Sequence, residues 1–227
     1  MYNDIEVLIP TYNEEGNIEN TILDLKKKKF KYITILDAQS EDNTVKISKK
    51  LGCKIIIDPQ KKMGFGYSLI NGIKNSNKKY CCIFDGDGSF DSDTIPTMYN
   101  EIIKGNDFVF CSRYLGGQVS EDDTLITRFG NSYFTFLINF FFNFKITDAL
   151  FLYCMAETKK FKKLNLISLD FRICTEILIK ANKNYMCKEI FSREARREFG
   201  VSKVNKVMDG LKLMQNIFKY YLYYLVK

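Results

Sequence analysis

Apolar and polar positions alternate along the first half of the chain so that strands and helices are predicted in turn. Glu6-Val7-Leu8-Ile9-Pro10 reads as a short strand stopped by proline, and a polar loop over 11–16 follows. Ile18, Ile22 and Leu25 then recur at helical spacing. A second strand covers 32–36 and ends at Asp37, and Ser40 is placed to cap a helix carrying Val45, Ile47 and Leu51. Cys53-Lys54-Ile55-Ile56-Ile57 is a third strand, and Gly64-Phe65-Gly66 leads into a helix with Leu69, Ile70 and Ile73. The run 80–84 is a fourth strand, Ser92 and Pro96 mark the start of another helix, and 107–111 is a fifth strand followed by Ser112-Arg113-Tyr114. Strands alternating with amphipathic helices predict βαβ units, hence an α/β fold with a mostly parallel central sheet.

Parallel sheets bind ligands at the carboxyl ends of their strands. Asp37, Asp85, Asp87 and Arg113 all fall at such ends, which predicts one shared site. Asp85-Gly86-Asp87-Gly88-Ser89 is its centre. Two carboxylates around a glycine suit a hard divalent cation, Mg²⁺ or Mn²⁺, with substrate phosphates completing the shell. The glycines let a diphosphate approach the backbone. The alternative is an acidic surface turn. Lys61 and Lys62 before Gly64 read as solvated charges, with phosphate contact as the alternative.

The second half changes character. The stretch 133–144 is dense in aromatics and fits either a buried helix or an interfacial helix lying in a membrane surface. After Lys203, Val207, Leu211, Met214, Phe218, Tyr221 and Leu225 form a stripe at helical spacing, with Lys206, Lys212 and Lys219 off that line. Such a stripe faces either a core or a lipid headgroup layer.

Composition narrows the chemistry. The 227 residues suit one large domain, 46% hydrophobic content supplies a core, and prolines number only 3. A net charge of +7 suits an anionic partner, phosphates or an acidic membrane face. No basic stripe interleaved with aromatics points to nucleic acid. With His 0, histidine acid/base catalysis and histidine metal ligation are excluded. Seven cysteines without Cys-x-x-Cys spacing fit buried thiols in a reducing cytosol. Asn3, Asp4 and Glu6 break any signal-peptide start, and no uncharged run approaches the ~20 residues that span a bilayer. The expected location is cytoplasmic or at a membrane surface.

The ordered motifs resemble the family-two glycosyltransferases with the GT-A fold, and more narrowly the dolichyl-phosphate mannose synthase group. Those that carry the resemblance are Ile9-Pro10-Thr11-Tyr12-Asn13-Glu14, the acidic loop from Leu36 through Asp37 to Thr44, Asp85-Gly86-Asp87, Ser112-Arg113-Tyr114, Arg128-Phe129-Gly130-Asn131 and Arg197-Glu198-Phe199-Gly200-Val201-Ser202-Lys203. The resemblance implies a Rossmann-like GT-A domain over 1–205, with 133–146 as an interfacial helix, and a C-terminal amphipathic helix over 206–227. It implies transfer of a sugar from a GDP- or UDP-linked donor to a polyprenyl phosphate, with inversion, at the cytoplasmic face of a membrane, alone or with a membrane-anchoring subunit. Pro10, Tyr12, Glu14, Asp37, Asp85, Gly86 and Asp87 would bind the nucleotide-sugar. Asp85, Asp87 and Ser89 would hold Mg²⁺ or Mn²⁺. Asp87, Arg113, Arg197 and Lys203 would carry the catalysis, and Arg113, Arg128 and Ser202 the acceptor phosphate.

Three departures stand out. Ala38 replaces the second acid of the acidic loop, Cys154 stands where the family often has an arginine after a Thr-Asp pair, and no transmembrane helix is expected after the catalytic domain. The alternatives are transfer to a sugar hydroxyl with Asp148 as base, or a catalytically silent subunit that binds nucleotide-sugar.

Overall fold

The computed structural model describes residues 2–61, 63–197, 199–200 and 206–226, the last group with side chains from Met208 onward. Seven strands form one sheet in the order β3-β2-β1-β4-β6-β5-β7. They are β1 Ile5–Thr11, β2 Tyr32–Asp37, β3 Lys54–Ile57, β4 Tyr80–Ile83, β5 Phe108–Ser112, β6 Cys154–Glu157 and β7 Cys187–Phe191. All neighbours run parallel except β6, which is antiparallel to both β4 and β5.

The strands have apolar side chains on both faces, as sheets covered by helices on both sides do. Leu8, Leu36, Cys81, Ile83, Phe108 and Phe110 point into one core. Their neighbours Val7, Ile9, Ile35, Cys82, Val109 and Cys111 point into the other. The first core is closed by α3 Phe65–Asn75, α5 Leu125–Phe142, α6 Thr158–Lys163, α7 Ile173–Asn184 and α8 Lys206–Val226. The second is closed by α1 Ile18–Lys27 and α4 Thr94–Ile103, with Ile47 of α2 Thr44–Lys50 packed against it.

The structure departs from the sequence reading in several places. Strand β1 runs through Pro10 to Thr11. Pairing with β4 ends at Leu8, and Thr11 turns its carbonyl to Ala38 on the β2 side. The N–H that proline lacks therefore falls where β4 has already left, and costs the ladder nothing. Ser40 does not cap α2, which starts at Thr44. Its hydroxyl donates to Asp37 Oδ2 at 2.6 Å and accepts the Asn13 N–H at 2.9 Å. Helix α5 begins eight residues before Tyr133, at Leu125. It is started by a reciprocal pair in which Thr124 and Thr127 each accept the other's backbone N–H.

Apart from Tyr221, which packs against the core, the apolar stripe legible along the C-terminal helix is not its buried face. Leu213, Asn216, Ile217 and Tyr220 are buried, whereas Leu211 is 49% exposed, Phe218 50% and Leu225 61%. Val207 lies among the residues whose side chains are not described. Helix α8 is thus apolar on two sides.

Candidate active site

The strand ends of β1, β2 and β4 meet where the chain, having run outward through β2 and β3, returns to start β4 beside β1. Such a switch point opens a crevice at the carboxyl edge. The loops after β1 and β2 are zipped together over it. Glu14 N–H donates to Thr44 Oγ1 at 2.8 Å, Glu15 N–H to Asp42 Oδ2 at 3.0 Å, and Glu41 N–H to Asn13 Oδ1 at 2.8 Å. Asp37 is the pin. It is fully buried and accepts from Thr11 Oγ1, Ser40 N–H and the Ser40 hydroxyl. Its carboxylate therefore shapes the loop that carries Tyr12 and Glu14. Pro10 is half-buried beneath them and Tyr12 is exposed.

The acidic triplet follows β4 directly. Gly86 lies so close to β1 that a side chain would meet Thr11 Cγ2 at 3.2 Å and Ile9 Cγ2 at 3.3 Å, and Gly88 turns the loop at φ 82°. Asp85 Oδ1 accepts the Gly86 N–H at 2.6 Å. Burial first, then the Asp87 carboxylate, pushes Asp85 well above the usual carboxylate range. Asp87 is buried, accepts the Ser89 N–H on Oδ1 at 3.0 Å, and is met on Oδ2 by Arg197 Nη2 at 2.6 Å. Ser89 is itself buried, and its carbonyl accepts the Ala195 N–H at 2.9 Å. Ser202 and Lys203 lie outside the described residues, as does Lys62, while Lys61 is paired with Glu41.

Two carboxylates whose repulsion a cation would relieve fit a divalent metal. Among the described residues no group of three or more cysteine, aspartate and glutamate side chains is arranged to hold one. The protein thus offers part of a coordination shell, as for a metal shared with substrate phosphates.

Beyond Asp85 lies a cavity of about 410 Å³. Its walls are largely apolar, with Phe65, Phe129, Phe134, Leu150, Leu152 and Leu213; Asp122 and Asp209 also line it, and one corner gathers Asp85, Arg113, Glu194 and Arg197. Arg113 is the keystone of that corner. Its Nε and Nη2 fork onto Asp148 at 2.7 and 3.0 Å, its Nη1 reaches Glu194 at 3.1 Å, and its guanidinium lies 4.8 Å from the Phe151 ring centroid. Asp148 is presented by a turn tied to β7, where Glu189 accepts Thr147 N–H at 2.9 Å and Thr147 Oγ1 at 3.0 Å. Both Asp148 oxygens are therefore committed to Arg113, and its side chain has no solvent exposure. Arg128, by contrast, stands exposed in the first turn of α5.

Cys154 is not part of this wall. It sits in β6 opposite Ile83 and Phe110, fully buried, and burial pushes its thiol well above the ordinary range. Residues 150–152 line the cavity in its stead.

Glu194 was not singled out from sequence. It stands in the charged run Arg193-Glu194-Ala195-Arg196-Arg197, which carries no pattern separating it from solvated neighbours. The structure places it in a bridge to Phe90, against the acidic loop, and burial raises its carboxyl above the usual range.

The family profile described as "Glycosyl transferase family 2" matches residues 6–164. The chain belongs to glycosyl transferase family 2. It is 28% identical to an uncharacterized protein of Methanocaldococcus jannaschii over 95% of this chain and 93% of the relative. It is 27% identical to a UDP-N-acetylglucosamine–dolichyl-phosphate N-acetylglucosaminyltransferase of Methanococcus voltae, over 94% of each. A dolichol-phosphate mannosyltransferase of Pyrococcus furiosus is 30% identical over 51% of this chain and 35% of its own. In fold, the chain superposes on glucosyl-3-phosphoglycerate synthase of Mycobacterium tuberculosis, solved with Mn²⁺ and UDP, with a TM-score of 0.71 at 15% identity, over 95% of this chain and 78% of that one. The fold is thus that of the GT-A glycosyltransferases, and the enzyme class is glycosyltransferase.

Proposed function

We propose that this glycosyltransferase moves a sugar from a nucleotide-sugar onto a polyprenyl-type phosphate such as dolichyl phosphate, working at the cytoplasmic face of a membrane. The observation that carries this reading is the cavity: a largely apolar chamber that ends in a charged corner at Asp85 and Arg197. A lipid phosphate has the same two-part character. The wall includes Ile126 and Phe129, 69% and 75% exposed, so the chamber reaches the surface at the first turn of α5.

That surface suits a bilayer. Tyr133, Phe136 and Phe140 continue the exposed face of α5, and Leu211, Met214, Phe218, Leu222 and Leu225 form that of α8. Helix α5 holds no acid, α8 holds none after Asp209, and their charged residues there are Arg128, Lys212 and Lys219. An apolar face rimmed by cations matches an anionic lipid surface. No described helix is long and apolar enough to cross a membrane. The names of the relatives from M. voltae and P. furiosus point to the same acceptor class.

The zipped loops after β1 and β2, with Tyr12 and Glu14, cradle the nucleoside. A divalent cation held by Asp85 and Asp87 would neutralise charge on the departing nucleoside diphosphate. Arg197 donates hydrogen bonds to the diphosphate oxygens, and Arg128 faces the incoming acceptor, while Arg113 holds Asp148 and Glu194 in place beside it. An ionised phosphate attacks the anomeric carbon without a general base, and direct displacement inverts that centre. The commitment of both Asp148 oxygens to Arg113 weighs against a hydroxyl acceptor activated by Asp148.

The test is a transfer assay with a short polyprenyl phosphate, Mn²⁺ or Mg²⁺, and a panel of UDP- and GDP-sugars, read by mass spectrometry. A metal-dependent glycosyl phospholipid, lost in Asp87→Asn, is expected. Donor binding without lipid product would reassign the protein to a hydroxyl acceptor or to a silent binding subunit.

A further inference from the structure

We infer that Glu194 is a specificity-determining residue that accepts hydrogen bonds from hydroxyl groups of the transferred sugar. The inference rests on the donor reading above and assigns its sugar subsite. The polar corner of the cavity is small. Arg197 is taken up by Asp87, and Asp148 is sealed behind Arg113. Asp85, Asp122, Glu194 and Asp209 all line the cavity, and of these Glu194 is the one paired with Arg113 and bridged to Phe90 of the acidic loop. Its Oε2 accepts from Arg113 Nη1 and from the Ser120 hydroxyl, while its Oε1 makes no hydrogen bond among the described residues.

Its backbone places that oxygen next to the donor. Glu194 bridges to Phe90, and the next residue, Ala195, donates its N–H to the carbonyl of Ser89. Both partners continue the loop of Asp85 and Asp87, where a donor diphosphate would sit. The sugar hangs from that diphosphate, so its hydroxyls are the groups that must enter the corner. A carboxylate fixed by an arginine and a serine accepts from such hydroxyls without first having to be ordered. A sugar lacking or inverting the matching hydroxyl would leave a half-buried carboxylate oxygen unpaired, which is how a site rejects the wrong substrate.

The second carboxylate on Arg113 has a further consequence. Asp148, Arg113 and Glu194 together carry two acids to one base. That balance disfavours a phosphate lodging at the Glu194 side of Arg113 and leaves the spot to neutral hydroxyls.

The experiment compares binding with and without the sugar. Calorimetry with Mn²⁺ would measure UDP against UDP-N-acetylglucosamine and GDP against GDP-mannose, on wild type, Glu194→Gln and Ser120→Ala, with a thermal melt of each. In Glu194→Gln the nucleotide-sugar is expected to bind about tenfold more weakly, the size of one weakened charge-assisted hydrogen bond, while the bare nucleoside diphosphate stays within about twofold. Ser120→Ala, which loosens Glu194 but keeps its charge and its Arg113 contact, should weaken the nucleotide-sugar less than Glu194→Gln does and leave the bare nucleoside diphosphate unchanged. Equal weakening of both ligands, no weakening of either, or a Ser120→Ala variant that behaves like Glu194→Gln makes Glu194 structural and overturns the inference. If Glu194→Gln fails to fold, Glu194→Asp replaces it with the same expectation, and failure of both assigns the residue to the scaffold. Wild type that binds none of the four ligands would instead overturn the donor reading itself.

Discussion

Arg197 Nη2 lies 2.6 Å from Asp87 Oδ2, while the other Asp87 oxygen accepts the Ser89 N–H. Both oxygens of the central metal-binding candidate are thus engaged before any cation arrives, so a cation on Oδ2 competes with Arg197 for it. Arg197→Gln is expected to bind Mn²⁺ alone several-fold more tightly than wild type, because a competing charge is gone. The same variant should bind nucleoside diphosphate with Mn²⁺ more weakly, because the displaced guanidinium no longer meets the phosphates. Titration of free Mn²⁺ by paramagnetic resonance, with and without UDP, reads both. Equal or weaker Mn²⁺ affinity in the variant would show that the pair does not gate the metal.

The Arg113–Asp148 pair is a stability element. Asp148→Asn leaves a half-sealed guanidinium without its fork partner, at a cost of about 3–5 kcal/mol for breaking a buried pair. Urea unfolding at neutral pH should show the loss as a lowered midpoint. A shift below ~1 kcal/mol, the scale of exposed pairs, would mean that the pair is solvated in solution.

Glu176 ties α7 to the C-terminal helix. Its carboxylate accepts from Ser168 N–H at 2.7 Å, Lys180 Nζ at 2.6 Å and Tyr220 OH at 2.7 Å. Burial raises its pKa, but the bonds from Lys180, Ser168 and Tyr220 outweigh burial and hold it below the usual carboxylate range. The unfolded carboxyl titrates at its ordinary value, so the contribution is complete above that value and fades as pH falls through the lower, folded one. Glu176→Gln should therefore lower the urea midpoint at pH 7 and flatten its decline toward pH 4. Parallel wild-type and variant curves would refute the linkage.

The outward face of α5 and α8 predicts vesicle binding. Wild type should float with anionic liposomes and bind neutral ones less. Replacing Phe136, Phe140 and Phe218 by glutamine should abolish flotation while leaving the melting temperature within a few degrees, because all three are more than half exposed or close to it. Flotation undiminished by these changes would rule out this face as the contact.

Much of the fold is legible in one dimension. Strands β1 to β5 carry apolar runs bounded by Gly, Asp and Pro, and the helices between them repeat apolar residues at helical spacing, so local pattern suffices. Strand β6 is hidden inside the apolar run 149–156, and β7, Cys187-Lys188-Glu189-Ile190-Phe191, carries two charges among five residues. What makes each a strand is the edge that receives it, β4 and β5 for β6 and β5 for β7. The stripe on α8 misleads for a related reason: periodicity locates an apolar face but not what covers it, and a helix apolar on two sides has two candidates.

The sequence by itself determined the α/β class, the succession of strands and helices through β5, and the acids that gather at the strand ends. These depend on short-range periodicity and on the rule that parallel strands share one carboxyl edge. Only the tertiary structure decided that Arg113 is held between Asp148 and Glu194, that Arg197 stands on Asp87, that Cys154 is core, and that the C-terminal stripe, Tyr221 apart, faces outward. Each of these joins or separates residues tens of positions apart. Such pairings are set by how the layers pack and which charges burial forces together, and no local pattern records them.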